Sequence, residues 1–166
     1  MSLEGRPRPR SITARAGDDV SDLDKRVIEH LQTDGRRPFT QIAAELGVSE
    51  AAVRARTNRL IERGILQIVG VTDPLKLGFH QMAMIGIRCE SDQLVEVAEQ
   101  IAEMPEVDYV VITAGTYDLL IETVCEDNEA LLRFLTEKLR AIDGVRETET
   151  FVYLRMVKQT YQWGTR

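Results

Sequence analysis

The chain is predicted to be α+β, with an N-terminal winged helix-turn-helix domain followed by a C-terminal ferredoxin-like βαββαβ domain. Three observations predict this. Two short helical patterns are joined by Gly47-Val48-Ser49, a third helical pattern precedes them, and beyond Gly64 the hydrophobic period changes from helical to alternating.

The first helical pattern carries Leu23, Val27, Ile28 and Leu31 at helical spacing, with Ser21 or Asp22 as its cap and Gly35 as its stop. The second puts Ile42, Ala43 and Leu46 on one face. Gly47 is free to take a positive φ, and the Ser49 hydroxyl suits the cap of the next helix, which begins at Glu50, where a carboxylate complements the helix dipole. At about 100° per residue, Val53, Thr57 and Leu60 share one side of that helix. Ala51, Ala55, Asn58, Glu62 and, more laterally, Arg54 and Arg59 look outward. These types suit DNA: arginine reaches phosphates or guanine edges, asparagine bonds adenine, and alanine lets the helix approach the groove. The candidate DNA contacts are therefore Ser49, Ala51, Arg54, Ala55, Asn58 and Arg59. An ordinary αα-hairpin with solvated arginines gives the same local pattern; the preceding helix, which completes a three-helix core, favours the DNA reader.

With 166 residues and 43% hydrophobic content the chain can bury a core sufficient for one domain or two small ones. Charge favours two. Residues 1–64 hold 12 Lys and Arg against 10 Asp and Glu, whereas the remainder holds 9 against 17, so a mildly basic module is hidden in a chain of net charge −6. The expected organisation is a disordered basic arm over 1–20, the helix-turn-helix over 21–64, a linking strand and turn over 65–78, and the βαββαβ domain over 79–166. The arm's Arg6, Arg8, Arg10 and Arg15 suit a minor groove or phosphates, and equally a solvated tail. There is no signal-peptide pattern and no apolar run near the roughly 20 residues that span a bilayer, so a cytoplasmic protein without membrane association is expected. Cys89 and Cys125 read as reduced core thiols, with no metal spacing.

Ile65 to Thr72 reads as a strand ending at Asp73-Pro74. Strands then follow around Gln81–Cys89, Val107–Ala114, Asp118–Cys125 and Val145–Val157, with helices around Asp92–Met104 and Asn128–Ile142. Leu94, Val97, Ala98 and Ile101 form one helical stripe; Leu131, Phe134, Leu135, Leu139 and Ile142 form the other. Both helices cover one face of a four-stranded antiparallel sheet. The opposite face is not polar: Met82, Met84, Tyr109, Val111 and Leu120 alternate with the core-facing residues, and a second subunit is the expected cover.

These features in this order, with Leu23-Asp24, Ile42-Ala43, Leu46-Gly47-Val48-Ser49, Arg59-Leu60, Gly64-Ile65, Gly115-Thr116-Tyr117-Asp118 and Gly144-Val145, resemble the Lrp/AsnC, or feast/famine, transcription regulators over roughly Ser21 to Tyr161. The resemblance implies a partner in double-stranded DNA, and a homodimer assembled further into a tetramer, octamer or ring. It also implies a small effector, commonly an amino acid, bound by the C-terminal domain; the residues themselves suggest no cofactor, metal or catalytic site. Carried over, the effector turn is Gly115, Thr116, Tyr117 and Asp118, with Thr113 on the strand entering it. A carboxylate such as Asp118 suits an ammonium group, and it equally suits a turn cap bonding its own backbone; Tyr117 is open to packing or to ligand contact. Thr57 departs from the resemblance, which implies a larger aliphatic residue there, and a looser helix packing is the expected consequence.

Two rival classes share these features. Siroheme-decarboxylase-like enzymes resemble the same two-domain plan, but His30 and His80 lie far apart in the expected fold, with no Ser/His/Asp, paired-carboxylate or metal-spaced constellation around them. A small-molecule sensor that has lost its grip on DNA would not need the outward Arg54, Asn58 and Arg59.

Overall fold

The computed structural model describes residues 20–160 and Thr165, so the basic arm, apart from Val20, lies outside the described residues. The chain divides into two compact units that change over between Val71 and Thr72.

The first unit holds three helices, α1 (Asp22–Thr33), α2 (Phe39–Leu46) and α3 (Glu50–Glu62). Ser21 caps α1 in a reciprocal capping box with Asp24, so of the two expected caps the serine acts. The helix ends at Asp34 in extended conformation, one residue ahead of the expected Gly35. Gly47 ends α2 at φ 68°, and Ser49 caps α3 by accepting the Ala52 N–H, both as the local sequence dictates. Val27, Ile28, Leu31, Ile42, Ala43, Val53, Leu60 and Leu66 form the core. Among the described residues the segment Ile65 to Thr72, expected as the strand that links the two domains, has no ladder partner. An extended segment becomes a strand only when its N–H and C=O groups find a neighbour, and here Ile68, Val69 and Val71 stay exposed.

The second unit is βαββαβ: β1 (Gln81–Cys89), α4 (Leu94–Ala102), β2 (Val107–Ile112), β3 (Leu119–Cys125), α5 (Asn128–Arg133) and β4 (Val145–Val152). A 3₁₀ turn, Pro74–Leu77, precedes β1. The sheet is antiparallel in the order β2-β3-β1-β4, the ferredoxin-like arrangement. β1 has the expected bounds, whereas β2 stops at Ile112 and not Ala114, β3 starts at Leu119 and not Asp118, and β4 stops at Val152 and not Val157.

The second expected helix is not a regular α-helix throughout. After α5 the chain makes a π turn, Phe134–Lys138, and a 3₁₀ turn, Leu139–Ala141. Phe134 and Leu139 both stay buried across the widened turn. Both cysteines are buried and unbridged, and burial raises both thiols above their ordinary range.

On the sheet's helix-covered face, Ala83, Ile85, Ile87, Leu119 and Ile121 are fully buried. On the other face Met84, Leu120, Glu122 and Val124 are half-buried, while Tyr109 and Phe151 are exposed. Glu122 there meets the Tyr153 phenol; burial first, and then that hydrogen bond, push Tyr153 up to about 12.

Thr57 is 1% exposed, and its hydroxyl has no hydrogen-bond partner among the described residues. A buried unsatisfied hydroxyl costs about 1–3 kcal/mol. Thr57→Val keeps the shape and removes that cost, so it is expected to stabilise the helical unit by about 1 kcal/mol in denaturant titration. A destabilised Val variant would show that the hydroxyl has a partner.

Candidate nucleic-acid interface and effector turn

The outward face of α3 forms as its sequence period dictates. Ala51, Arg54, Ala55 and Asn58 are exposed and, with Glu50, line an open depression. Ser49 is exposed at the start of the helix, its hydroxyl oxygen 3.2 Å from the Ala52 nitrogen. Arg54 is held on two sides: its Nη2 lies 2.5 Å from Glu50 Oε1, and its guanidinium stacks over the Phe39 ring, 5.3 Å from the centroid. Phe39 was not singled out by the sequence pattern. Its signal is an aromatic ring at the start of α2 that contributes only partly to the core.

Arg59 is placed differently from Arg54 and Asn58. Its Nη2 donates to both oxygens of Asp24, at 3.2 and 3.1 Å, while Arg56 Nη1 donates to Asp24 Oδ1 at 2.8 Å and to Ser21 Oγ at 3.1 Å. The Asp24 carboxylate is 1% exposed. Burial pushes it up, but the Ser21 hydroxyl and backbone N–H and the Arg56 guanidinium outweigh burial and hold it down at about 2.

Because the folded state holds Asp24 below its ordinary 3.8, its contribution is fully present above pH 4 and is lost as pH falls from about 4 to 2. The size is on the order of 2 kcal/mol. Denaturant titrations of wild type and Asp24→Asn, followed by circular dichroism, are expected to show the wild-type advantage disappearing over that window; a constant difference would mean the carboxylate is not what titrates.

In the second unit the turn between β2 and β3 brings the expected effector residues together. Asp118 is engaged by backbone: its Oδ2 accepts the Cys89 N–H at 2.8 Å, its own N–H donates to Ile87 O at 2.9 Å, and its carbonyl accepts the Thr113 N–H at 2.8 Å. The Thr113 hydroxyl donates to Tyr117 O. The bond to Cys89 falls where β1 and β4 slip register, between Arg88 and Cys89, so the carboxylate satisfies an N–H beside that irregularity. Gly115 and Thr116 are exposed.

Tyr117 packs on the sheet's uncovered face. A Cβ on Gly86 would come within 2.6 Å of its ring, the Arg88 guanidinium lies 6.0 Å from its centroid, and Phe151 meets it edge-on at 6.4 Å. Arg88 also closes the turn by donating from Nε to Thr116 O at 3.0 Å. Gly86 and Arg88 were missed by the sequence pattern; a glycine inside an apolar strand is the signal of a close approach. The two histidines fall in different units: His30 Nδ1 sits 2.9 Å from Arg37 Nη1, while His80 is exposed.

An AsnC-type helix-turn-helix model matches residues 20–61, and an Lrp/AsnC ligand-binding-domain model matches residues 82–163. An uncharacterised HTH-type transcriptional regulator of Pyrococcus abyssi is 36% identical, over 87% of this chain and 90% of that one. The chain belongs to the Lrp/AsnC family. Among Lrp/AsnC regulators, HTH-type transcriptional regulator LrpA of Pyrococcus horikoshii is 33% identical over 84% of this chain and 99% of its own. The structure of Escherichia coli AsnC superposes with a TM-score of 0.76 at 25% identity, covering 84% of this chain and 95% of that one. A Neisseria meningitidis transcriptional regulator solved as its L-Met complex shares the fold, with a TM-score of 0.77 at 21% identity over 86% and 95% of the two chains. This Lrp/AsnC chain is a transcriptional regulator with a helix-turn-helix DNA-binding domain and a ligand-binding domain.

Proposed function

We propose that the protein reads a specific duplex sequence with Ser49, Ala51, Arg54, Ala55, Asn58 and Arg59, and that a small effector, an amino acid, acts through the turn Thr113–Asp118. The observation that carries the DNA reading is the exposed face of α3. Two small residues there flank Asn58 and an arginine already fixed by Phe39 and Glu50, so base-edge donors are presented on a rigid element with room to approach the groove. Selection of bound duplexes from a random pool supplies the operator. Arg54→Ala and Asn58→Ala are then each expected to weaken operator binding by about 1–3 kcal/mol and to relax preference at the base pair they read. Full operator affinity in a folded double variant would remove α3 from this role.

For the effector, the ligand-binding domain and the L-Met complex of the Neisseria regulator support an amino acid, and the Asp118 carboxylate supplies charge for its ammonium. Asp118 also holds the Cys89 N–H, so Asp118→Asn, which keeps an acceptor of the same shape, is the informative variant. Calorimetry against the common amino acids, paired with light scattering, is expected to show a ligand whose binding and effect on assembly are both lost in Asp118→Asn. An identical isotherm for the two proteins would place the ligand elsewhere.

Assembly to at least a homodimer, extending to a tetramer or octamer, is supported by the uncovered apolar sheet face. A regulator with no catalytic role, working in the cytoplasm, fits the pairing of His30 with Arg37 and the assignment of His80 to the other unit. It also fits the finding that no helix among the described residues is long and apolar enough to cross a membrane.

A further inference from the structure

We propose that Arg56 and Arg59 form a backbone clamp for DNA: two guanidinium groups, fixed side by side on the buried Asp24, that grip phosphate oxygens and read no bases. The proposal rests on α3 being the DNA-reading helix, and it reassigns Arg59 from reading to gripping. It also adds Arg56, which sequence periodicity places beside the buried stripe of Val53, Thr57 and Leu60.

Geometry separates the cations of α3 into two groups. At about 100° per residue, Ala51, Ala55 and Asn58 share the outward face, with Arg54 at one edge of it and Arg59 at the other, and Arg56 lies beyond Arg59, toward α1. Both edge arginines converge on one carboxylate, at 2.8 to 3.2 Å, and Arg56 also reaches Ser21 at the start of α1. One carboxylate opposite two guanidinium groups leaves a positive charge over. The described bonds engage one terminal nitrogen of each fork, from five N–H donors apiece. Side-chain exposures of 30% for Arg56 and 52% for Arg59 leave those forks in reach of a strand.

A fork drawn toward α1 is turned away from the outward face of α3, the face that would meet base edges in the groove. It suits a phosphate, where charge and approximate position suffice and where rotamer freedom already lost on folding is not lost again on docking. The Arg56 bond to Ser21 puts this pair on the edge of α3 that faces α1, beside the outward face and not on it.

The test uses the full chain, the best duplex selected from a random pool, and a scrambled duplex of equal length, each titrated across a salt series. Arg56→Ala and Arg59→Ala are expected to weaken both duplexes by the same factor, leaving their ratio unchanged, and each to lower the slope of log K against log salt by about one. Arg56→Gln and Arg59→Gln keep a donor for Asp24 while losing the charge, so they secure the fold and are expected to give the same loss of slope. An unchanged slope in variants with native circular dichroism would overturn the clamp and reduce the pair to a structural role. A changed ratio between duplexes would overturn it in favour of base reading. If the wild type bound no duplex, the reading of α3 would fall as well, whereas wild-type binding that depends on Arg54 and Asn58 but not on this pair would overturn the clamp alone.

Discussion

A carboxylate removed from water must be met by opposite charge and by donors, and in the helical unit that demand at Asp24 organises the surface around it. Asp24 is 1% exposed, yet Ser21 and Arg56 hold its carboxyl down at about 2 against the push of burial, and Arg59 converges on the same oxygens. One side chain thereby closes the α1 capping box and ties the start of α1 to the middle of α3. A buried ion pair is not in itself strong evidence of stability, since desolvation offsets much of the attraction, but losing one partner leaves an uncompensated charge. Here the arrangement fixes direction: the guanidinium groups that meet Asp24 are drawn toward α1, while Arg54 stays on the outward face under a different constraint, its stack on Phe39.

How much could be read from the sequence follows from how local each determinant is. The turn at Gly47-Val48-Ser49 was legible because a left-handed glycine and a hydroxyl cap act within a few residues, and the βαββαβ order was legible because alternation and helical period are local too. The pairing of Asp24 with Arg56 and Arg59 was not, because residues 32 and 35 apart in the chain meet only in the tertiary fold. Leu23-Asp24 was visible as a motif; its partner was not. The segment Ile65 to Thr72 shows the converse failure: its residues have strand character, but a strand also requires a partner, and the described residues offer none. At Phe134–Lys138 an apolar stripe announced a helical segment correctly, but the stripe keeps the α period through Leu131, Leu135 and Leu139 and carries no mark of the π turn.

Gly86 holds the corresponding place in the second unit. With no Cβ it lets the Tyr117 ring lie directly on the sheet, and that ring fixes the residue next to Asp118. At this turn the Asp118 carboxylate bonds the backbone of β1 at Cys89, not its own turn, and Tyr117 packs. Neither contact removes a ligand role. A backbone bond through Oδ2 orients the carboxylate, and a packed ring gives the turn a rigid footing.

Under the proposed function this footing also bears on how a ligand could act at a distance. A ligand shifts assembly or DNA binding only by its differential affinity for the competing states, so some element must differ between them. Tyr117 is one residue from Asp118 and its ring lies on the uncovered sheet face in contact with Arg88 and Phe151, while Arg88 returns to the turn at Thr116. Close-packed faces change between discrete arrangements and do not deform continuously. Occupancy of the turn and coverage of the sheet face therefore act on the same side chain, and a ligand that pulled Asp118 away from the Cys89 N–H would have to move the ring on which a second subunit would rest.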